Sequence, residues 1–215
     1  MELARYIDHT LLNPEATKRD LVRLCMEAKE HVFFSVCVNP TNAALALRET
    51  SGSEVRVCSV VGFPLGASKF ETKRYEATEL SKLGVHELDM VMNIGALKSG
   101  DWDEVVSDIH GVVEAAGPNR VVKVIIETCL LTMQEKVRAC ELSMKAGANF
   151  VKTSTGFSTA GATVDDVKLM KRIVGGSMKV KAAGGIRTTE QARKMIDAGA
   201  DRIGTSRSLA IIGNV

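Results

Sequence analysis

The chain has 215 residues, of which 45% are hydrophobic and 25% are charged, as is ordinary for a soluble globular protein. Its 28 Lys and Arg residues nearly balance its 26 Asp and Glu residues, and no basic block runs along the chain, which argues against binding to nucleic acid. No apolar run approaches the roughly 18 residues of a membrane span, and the start MELARYIDHT lacks the apolar core of a secretory signal, so we expect no nucleic-acid and no membrane partner.

The cysteines and histidines indicate a reducing location and no bound metal. The cysteines are odd in number and form no CxxC pair: Cys25, Cys37, Cys58, Cys129 and Cys140. The histidines lack the spacing that would place two of them on one helical face: His9, His31, His86 and His110. We therefore expect a cytoplasmic protein with free thiols, and chemistry without a protein-ligated metal.

Short β-type runs alternate with longer amphipathic stretches along the chain, a pattern typical of βα units. A weak strand is predicted around residues 6–12, and stronger strands follow at 33–38, 55–61, 86–92, 121–127, 149–153, 178–183 and 201–205. Between them, apolar residues recur at spacings of three and four, as at Val105 and Ile109, which indicates helices with one buried face. Gly84, Gly147 and Gly199 each stand between such a stretch and a new strand, so they are predicted to end helices.

Eight strands with helical connections in about 200 residues, without a flexible linker, predict a closed (β/α)8 TIM barrel that forms a single domain over residues 1–215. The alternative is an open doubly wound sheet, but the GxGxxG motif that usually follows its first strand is absent. In a barrel, active-site groups stand at the carboxyl ends of the strands and in the loops that follow. Polar residues at those ends are therefore the candidates for function.

Three predicted strands carry a lysine within apolar sequence, at Lys123, Lys152 and Lys181. Lysine is rarely buried without a partner or a function, and each of the three could simply pair with a carboxylate inside the barrel. Lys152 stands nearest its strand end, and a turn of small hydroxyl residues at 153–156 follows it with room for substrate. We therefore predict Lys152 as a nucleophile and Thr155 as a substrate contact.

A lysine nucleophile must be uncharged when it attacks a carbonyl, whereas a free lysine has a pKa near 10.4 and is almost entirely protonated at neutral pH. A second ammonium about 4 Å away opposes protonation by up to ~4 kcal/mol at an effective dielectric constant near 20. Lys181, just before a Gly-Gly turn on the next strand, is predicted to keep Lys152 uncharged in this way and to shuttle protons. Lys123 lies in mid-strand and is predicted to support the charge network or contact substrate.

Two aspartates are the candidate carboxylates. Asp89 interrupts the apolar strand sequence LDMVMN, and an interior carboxylate must be paired, protonated or used in chemistry. A salt bridge to an interior lysine and a role in proton transfer are both open for Asp89, and the two are compatible. Asp8, near the end of the first strand, is a weaker candidate for substrate contact, with a structural salt bridge as the alternative.

Glycine-rich turns late in the sequence indicate a phosphate site. After Lys181 comes AAGGIRTTEQA, in which Gly184 and Gly185 leave backbone N–H groups exposed before a helix. The next strand ends in GTSRS and offers Gly204 and Ser206. Barrel enzymes often bind phosphate in the loops after strands seven and eight, which these are by our count. The alternative is a pair of tight turns with ordinary helix caps.

The segments IDHTLLN, LDMVMNIG, KTSTGF, KAAGGIR and GTS occur in an order that resembles the deoxyribose-phosphate aldolases over nearly the whole chain. The resemblance implies that Lys152 forms the Schiff base, while Lys181 and Asp89 transfer protons. It also implies reversible cleavage of the phosphorylated sugar 2-deoxy-D-ribose 5-phosphate to D-glyceraldehyde 3-phosphate and acetaldehyde, without metal or organic cofactor. Barrels of this kind often associate, so we expect a homodimer or homotetramer.

Two features depart from the family pattern. Arg207 follows GTS where many relatives have a second small hydroxyl residue, so a guanidinium is expected either to bind phosphate or to point into solvent. The chain ends at Val215, so no long tail is expected to cover the site. Two other functions remain open at this stage: a non-covalent isomerase or lyase on a related sugar phosphate, and a phosphate-ligand sensor that kept the fold.

Overall fold

The computed structural model describes residues 3–213, in which parallel strands form a closed barrel in sequence order with β1 beside β8. The strands are β1 (Ile7–Leu11), β2 (Ser35–Val38), β3 (Arg56–Val61), β4 (Glu87–Val91), β5 (Val121–Ile125), β6 (Phe150–Lys152), β7 (Lys179–Ala183) and β8 (Arg202–Thr205). Each lies within a range predicted from the sequence. Closure of the sheet confirms the (β/α)8 barrel and makes the open-sheet alternative wrong.

Helices surround the barrel. They are α1 (Lys18–Glu30), α2 (Ala43–Thr50), α3 (Phe70–Leu83), α4 (Ile94–Ser99), α5 (Trp102–Ala116), α6 (Met133–Lys145), α7 (Val164–Val174), α8 (Thr189–Asp197) and α9 (Ser208–Ile212). Short 3-10 turns occupy Leu3–Tyr6, Pro40–Asn42 and Thr128–Leu130. No helix within residues 3–213 is long and apolar enough to cross a membrane.

Local sequence explains where several helices begin and end. Three helices begin with a capping box, at Thr17, Thr132 and Thr188. In each, the threonine hydroxyl oxygen accepts a backbone N–H of the first turn, and the side chain three positions later accepts the backbone N–H of the threonine. Gly84 and Gly199 follow the helical stretches α3 and α8 with φ of 100° and 109°, a left-handed conformation that glycine adopts without steric cost. These turns direct the chain from the carboxyl end of each helix into the next strand, as the sequence predicts.

Strand residues alternate between an apolar outer layer and a polar interior. On β4 and β5, Leu88, Met90, Val122 and Val124 belong to the hydrophobic core under the helices. Three alternate residues of the same strands, Glu87, Asp89 and Lys123, are charged, and the two carboxylates contact residues on strands that are not their neighbours, so they meet inside the barrel. The barrel interior therefore includes a charged layer, unlike the wholly apolar layers common in this fold.

The five cysteines are free thiols in the structure. Cys129 is partly exposed, and the other four are buried.

Candidate active site

A cavity of about 460 Å³ opens at the carboxyl ends of the strands. Its walls come from the ends of β1, β6, β7 and β8 and from the loops that follow these four strands. Lys152, the last residue of β6, lines it and is nevertheless only 2% exposed. A nearly buried amine facing a cavity is placed to react with a small carbonyl compound while bulk water is largely excluded.

Lys152 shares one carboxylate oxygen with Lys181. Its Nζ lies 2.8 Å from Oδ2 of Asp89, and Nζ of Lys181 lies 2.7 Å from the same atom. Lys152 and Lys181 are register partners on β6 and β7, and Asp89 reaches them from β4 across the interior. The structure thus brings together the three residues that the sequence predicts as the catalytic group.

Further charged residues surround this trio. Lys123 binds Oδ1 of Asp89 at 2.7 Å and Oε2 of Glu87 at 2.6 Å. Arg202 joins Glu87 to Oδ1 of Asp8, at 2.5 and 3.0 Å. Oδ2 of Asp8 lies 2.5 Å from Nζ of Lys181, which closes the network.

The network holds most of its members in their charged forms. Burial alone would raise the pKa of Asp89, but the ammonium groups of Lys123, Lys152 and Lys181 outweigh it and hold that pKa well below its usual range. Burial alone would lower the pKa of Lys181, but the carboxylates of Asp8 and Asp89 raise it. In the resting site Lys181 is therefore an ammonium, and Asp89 a carboxylate, at neutral pH.

The balance of buried charge singles out Lys152. Among the described residues, the buried network has four basic groups, on Lys123, Lys152, Lys181 and Arg202, and three carboxylates, on Asp8, Glu87 and Asp89. With every group ionised, it carries one surplus positive charge. Among the same residues, Lys152 contacts one carboxylate, whereas Lys123 and Lys181 each contact two, and Lys152 is the lysine of the network that lines the cavity.

Two positions have different roles from those predicted. Lys123 and Asp8 were expected as candidates for substrate contact, but both are fully buried and neither lines the cavity. Their charges are satisfied by Asp89 and Glu87 in one case, and by Lys181 and Arg202 in the other. The structure therefore corrects that prediction: they support the charge network from below the cavity. Lys181 and Asp89 likewise contact Lys152 rather than lining the cavity.

A thiol also contacts Asp89. Cys58 donates to Oδ1 of Asp89 at 3.1 Å, and burial raises its pKa well above the usual value, so the thiol keeps its proton. Cys37, Cys58 and Asp89 have potential ligand atoms within 4.8 Å of one another. Both oxygens of Asp89 already accept from ammonium groups, so this cluster offers a metal ion no free carboxylate oxygen.

The predicted phosphate residues all face the same cavity. All four line it beside Lys152: Gly184 and Gly185 in the loop after β7, Gly204 near the end of β8, and Ser206 just after β8. Gly184 has φ of 85°, and a Cβ there would lie 3.0 Å from the Cα of Gly161, so both conformation and space require glycine.

Two arginines complete this side of the cavity. Arg187 and Arg207 both line it, and both are exposed. A guanidinium presents several N–H donors to a phosphate group, so the two side chains make the rim attractive to an anion. The sequence left open whether Arg207 faces the site or the solvent, and the structure places it at the rim.

Thr155 lines the cavity, as predicted, but its hydroxyl has a partner within the protein. Thr155 Oγ1 donates to Oε2 of Glu127 at 2.5 Å, and its backbone N–H points to the same carboxylate at 3.3 Å. Glu127 is 2% exposed and has φ of 52°, an uncommon conformation for a residue with a side chain. Glu127 therefore fixes the loop that follows Lys152.

Sequence reasoning missed Glu87, Arg202 and Cys58. Glu87 and Arg202 each stand two positions before a residue that was predicted, Asp89 and Gly204. Because side chains on a strand alternate between faces, that spacing places them on the same interior face. The alternation would have found both.

Comparisons with known proteins agree with this geometry. Residues 3–214 match the family described as DeoC/LacD family aldolase. The chain is 57% identical over 214 residues to the deoxyribose-phosphate aldolase of Bacillus mycoides and 58% identical to that of Bacillus cereus, in each case covering 100% of this chain and 96% of the relative. It also superposes with a TM-score of 0.88 on the tetrameric deoxyribose phosphate aldolase from Aeropyrum pernix, at 36% identity, covering 98% of this chain and 89% of that one.

Proposed function

Because the chain belongs to the DeoC/LacD family of aldolases, we propose that it reversibly cleaves 2-deoxy-D-ribose 5-phosphate to D-glyceraldehyde 3-phosphate and acetaldehyde through a Schiff base on Lys152. The observation that carries the proposal is the shared contact of Lys152 and Lys181 with one oxygen of Asp89 beside a cavity. That contact supplies a nucleophile, a permanent cation and a carboxylate within hydrogen-bond distance of one another.

Catalysis begins when the neutral amine of Lys152 adds to C1 of the open-chain sugar. The carbinolamine loses its hydroxyl group as water after protonation, and an iminium ion forms between C1 and Nζ. Lys181 is the acid beside Lys152, since Asp8 and Asp89 keep it protonated. The iminium restores the positive charge that Lys152 carries as an ammonium, and Asp89 stabilises it through the contact between its Oδ2 and Nζ of Lys152 at 2.8 Å.

Cleavage breaks the bond between C2 and C3. A water molecule held between Asp89 and Lys181 takes the proton from the C3 hydroxyl and passes one of its own to the Asp89 carboxylate. The C3 oxygen becomes the aldehyde of glyceraldehyde 3-phosphate, and the bonding electrons flow to the iminium as an enamine. The same proton, returned through the water to C2 of the enamine, gives the iminium of acetaldehyde and regenerates the carboxylate. Hydrolysis then releases acetaldehyde and regenerates the amine of Lys152.

The phosphate group is proposed to bind among the N–H groups of Gly184, Gly185, Gly204 and Ser206, with the guanidinium groups of Arg187 and Arg207 at the rim. The 460 Å³ cavity is large enough for a five-carbon sugar phosphate. Anchoring the phosphate holds C1 near Lys152, which converts addition into a reaction between neighbouring groups.

The direct test is to incubate the protein with 2-deoxy-D-ribose 5-phosphate and to quantify acetaldehyde and glyceraldehyde 3-phosphate. We expect both products in equal amounts, and equal rates with and without EDTA. Release of an isomeric sugar phosphate with no acetaldehyde would favour the non-covalent isomerase instead. Strong inhibition by EDTA that a metal reverses would favour a metal-dependent lyase, while binding without turnover would favour a sensor.

We further propose that the protein associates as a homodimer or homotetramer, as the Aeropyrum pernix relative does in its tetrameric form. Large exposed apolar side chains on the outer surface, such as Leu65, Tyr75 and Met133, support association. Light scattering during size-exclusion chromatography measures the mass, and a single 23.1 kDa species would contradict this proposal.

A further inference from the structure

Three side chains form a series of hydrogen bonds outside the barrel wall, next to the loop after β8 that is proposed to bind phosphate. Oγ of Ser208 lies 2.7 Å from Nδ1 of His9, and Nε2 of His9 lies 2.8 Å from Oε2 of Glu27. The three side chains come from α9, β1 and α1. Ser208 is fully buried and His9 is 4% exposed, so little water competes for the bond between them, whereas Glu27 is partly exposed.

The donors and acceptors in this chain can be assigned. A carboxylate only accepts, so the hydrogen between His9 and Glu27 sits on Nε2 of the imidazole. Burial lowers the pKa of His9 despite the bond to Glu27, so the ring is neutral at pH 7 and its Nδ1 has a free lone pair. The Ser208 hydroxyl therefore donates to Nδ1 of His9, and Nε2–H of His9 donates to Glu27. Both hydrogen bonds run in the same direction, from Ser208 toward Glu27.

Serine, histidine and an acid in this order resemble the triad of acyl hydrolases, but access rules out that chemistry. The Ser208 hydroxyl is fully buried, and Ser208 does not line the cavity that contains Lys152. A nucleophile must reach its substrate, so Ser208 has no route to an ester or amide carbonyl. The hydrogen bonds between Ser208, His9 and Glu27 therefore have a structural effect, on the backbone segment that they hold in place.

The backbone segment held by these hydrogen bonds is 204–207. Ser208 follows this segment directly, and Gly204, Thr205, Ser206 and Arg207 all line the cavity. His9 is the register partner of Thr205 across the seam between β1 and β8. The segment is thus fixed by Ser208, which directly follows it, and by the pairing of Thr205 with His9.

A second set of bonds ties the same segment to the preceding loop. Thr205 Oγ1 accepts the backbone N–H of Arg207 at 3.0 Å and donates to the carbonyl oxygen of Ile186 at 2.7 Å. Ile186 directly follows Gly184 and Gly185 in the loop after β7. The two phosphate loops are therefore connected to each other through Thr205, and to β1 and α1 through Ser208 and His9.

We propose that His9 and Ser208 are positioning residues that hold segment 204–207 so that it binds the phosphate group of the substrate. This inference rests on the proposed function, because it assigns the segment to phosphate. It predicts that the pair affects recognition of phosphate and leaves the reaction at Lys152 unchanged, since neither residue contacts Lys181, Asp89 or Lys152.

The test compares Ser208→Ala with Ser143→Ala. Both serines are fully buried, and each donates one hydrogen bond, but Ser143 bonds the carbonyl oxygen of Ala139 within α6, away from the cavity. We expect Ser208→Ala to raise KM for 2-deoxy-D-ribose 5-phosphate by about 3- to 10-fold, the factor that one lost hydrogen bond gives, with kcat within about twofold. KM for unphosphorylated 2-deoxy-D-ribose should not change. Ser143→Ala should leave both KM values unchanged.

A binding experiment gives a readout that does not require turnover. Titration calorimetry with inorganic phosphate should show Kd raised about 3- to 10-fold in Ser208→Ala and also in His9→Leu, whereas His9→Asn, which keeps an acceptor near the Nδ1 position, should bind more nearly as the unmodified protein does. Equal increases of KM for both sugars, unchanged KM, or no phosphate binding by the unmodified protein would overturn the inference. Failure of the unmodified protein to cleave the sugar phosphate would instead overturn the proposed function.

Discussion

The ammonium groups of Lys152 and Lys181 meet on a single atom, Oδ2 of Asp89, at 2.8 and 2.7 Å. A carboxylate oxygen between two lysines changes the simple picture in which one ammonium repels the proton of the other. Lys181 stays charged because Asp8 also binds it at 2.5 Å, whereas Lys152 pairs with Asp89 alone among the described residues and lines the cavity. The whole network, rather than one neighbour, therefore distinguishes the two lysines.

Asp89→Asn separates imine formation from cleavage. The substitution leaves the Lys152 amine beside the cavity and changes only the carboxylate that it contacts, so borohydride should still trap a substrate adduct. The amide does not accept a proton, so kcat should fall by about a hundredfold or more. The two quantities are measured by mass spectrometry of the reduced protein and by acetaldehyde release. Near-normal kcat with Asn at this position would contradict the role of Asp89 in proton transfer.

Arg202→Met tests how much the buried ion pairs of Arg202 with Asp8 and Glu87 stabilise the fold. Arg202 neutralises Asp8 and Glu87 in the interior and stacks on the Phe34 ring with its guanidinium carbon 3.3 Å from the centroid. Removing one partner of a buried ion network costs about 3–5 kcal/mol of unfolding free energy. Arg5→Met is the matched control, because Arg5 and Glu54 form an exposed pair at 2.9 Å that contributes less than about 1 kcal/mol.

Urea unfolding of the two variants measures both changes. We expect a large fall in the free energy of unfolding for Arg202→Met and almost none for Arg5→Met. Similar stability of the two variants would show that Glu87 and Asp8 do not depend on Arg202.

The interior carboxylates predict a loss of stability in acid. Despite burial, which raises them, the pKa values of Asp8, Glu87 and Asp89 are lowered by the neighbouring lysines and Arg202. In the unfolded chain these groups titrate near about pH 4, so the unfolded state binds more protons below that pH. Their stabilisation is complete above about pH 5 and is lost as pH falls through the lowered folded values.

The measurement is the free energy of unfolding by urea from about pH 7 to pH 3. We expect it to fall steeply below about pH 4.5. Burial raises the pKa values of Asp108 and Glu76, which therefore have the opposite sign, but they are two groups against three. A flat profile down to pH 3 would contradict the charge network.

Gly204→Ala tests the space beside Lys181. A Cβ at position 204 would lie 3.0 Å from Cε of Lys181 and 3.0 Å from Cβ of Ala183, so the lysine must shift. Such overpacking costs about 1–3 kcal/mol, and displacement of a catalytic group should lower kcat by about ten- to a hundredfold. Gly176→Ala is the control, since a Cβ there meets nothing within 4 Å. Steady-state kinetics should show a loss only for Gly204→Ala.

The sequence predicted much of this site because its signals are local. A lysine within an apolar strand is visible in VVKVII, FVKTSTG and KVKAAGG, and the alternation of strands and helices places all three on neighbouring strands of one barrel. Asp89 was visible for the same reason. These signals did not show which carboxylate pairs with which lysine, because that pairing depends on how the barrel closes.

Other parts of the site have no local signal. The bond between Ser208 and His9 joins residues 199 positions apart, and only closure of β8 against β1 brings them together. The expectation that Lys123 or Asp8 contacts substrate failed because depth along a strand decides between cavity and interior. A one-dimensional pattern gives the face of a strand but not that depth.

Borohydride reduction in the presence of 2-deoxy-D-ribose 5-phosphate tests the central claim most directly. We predict one stable adduct per chain, located on Lys152 by peptide mapping, and present at the same level in Lys168→Ala, which removes an exposed lysine of α7. Lys152→Ala should show neither adduct nor turnover. An unmodified protein that cleaves the sugar without any lysine adduct, or a Lys152→Ala variant with near-normal activity, would contradict the account.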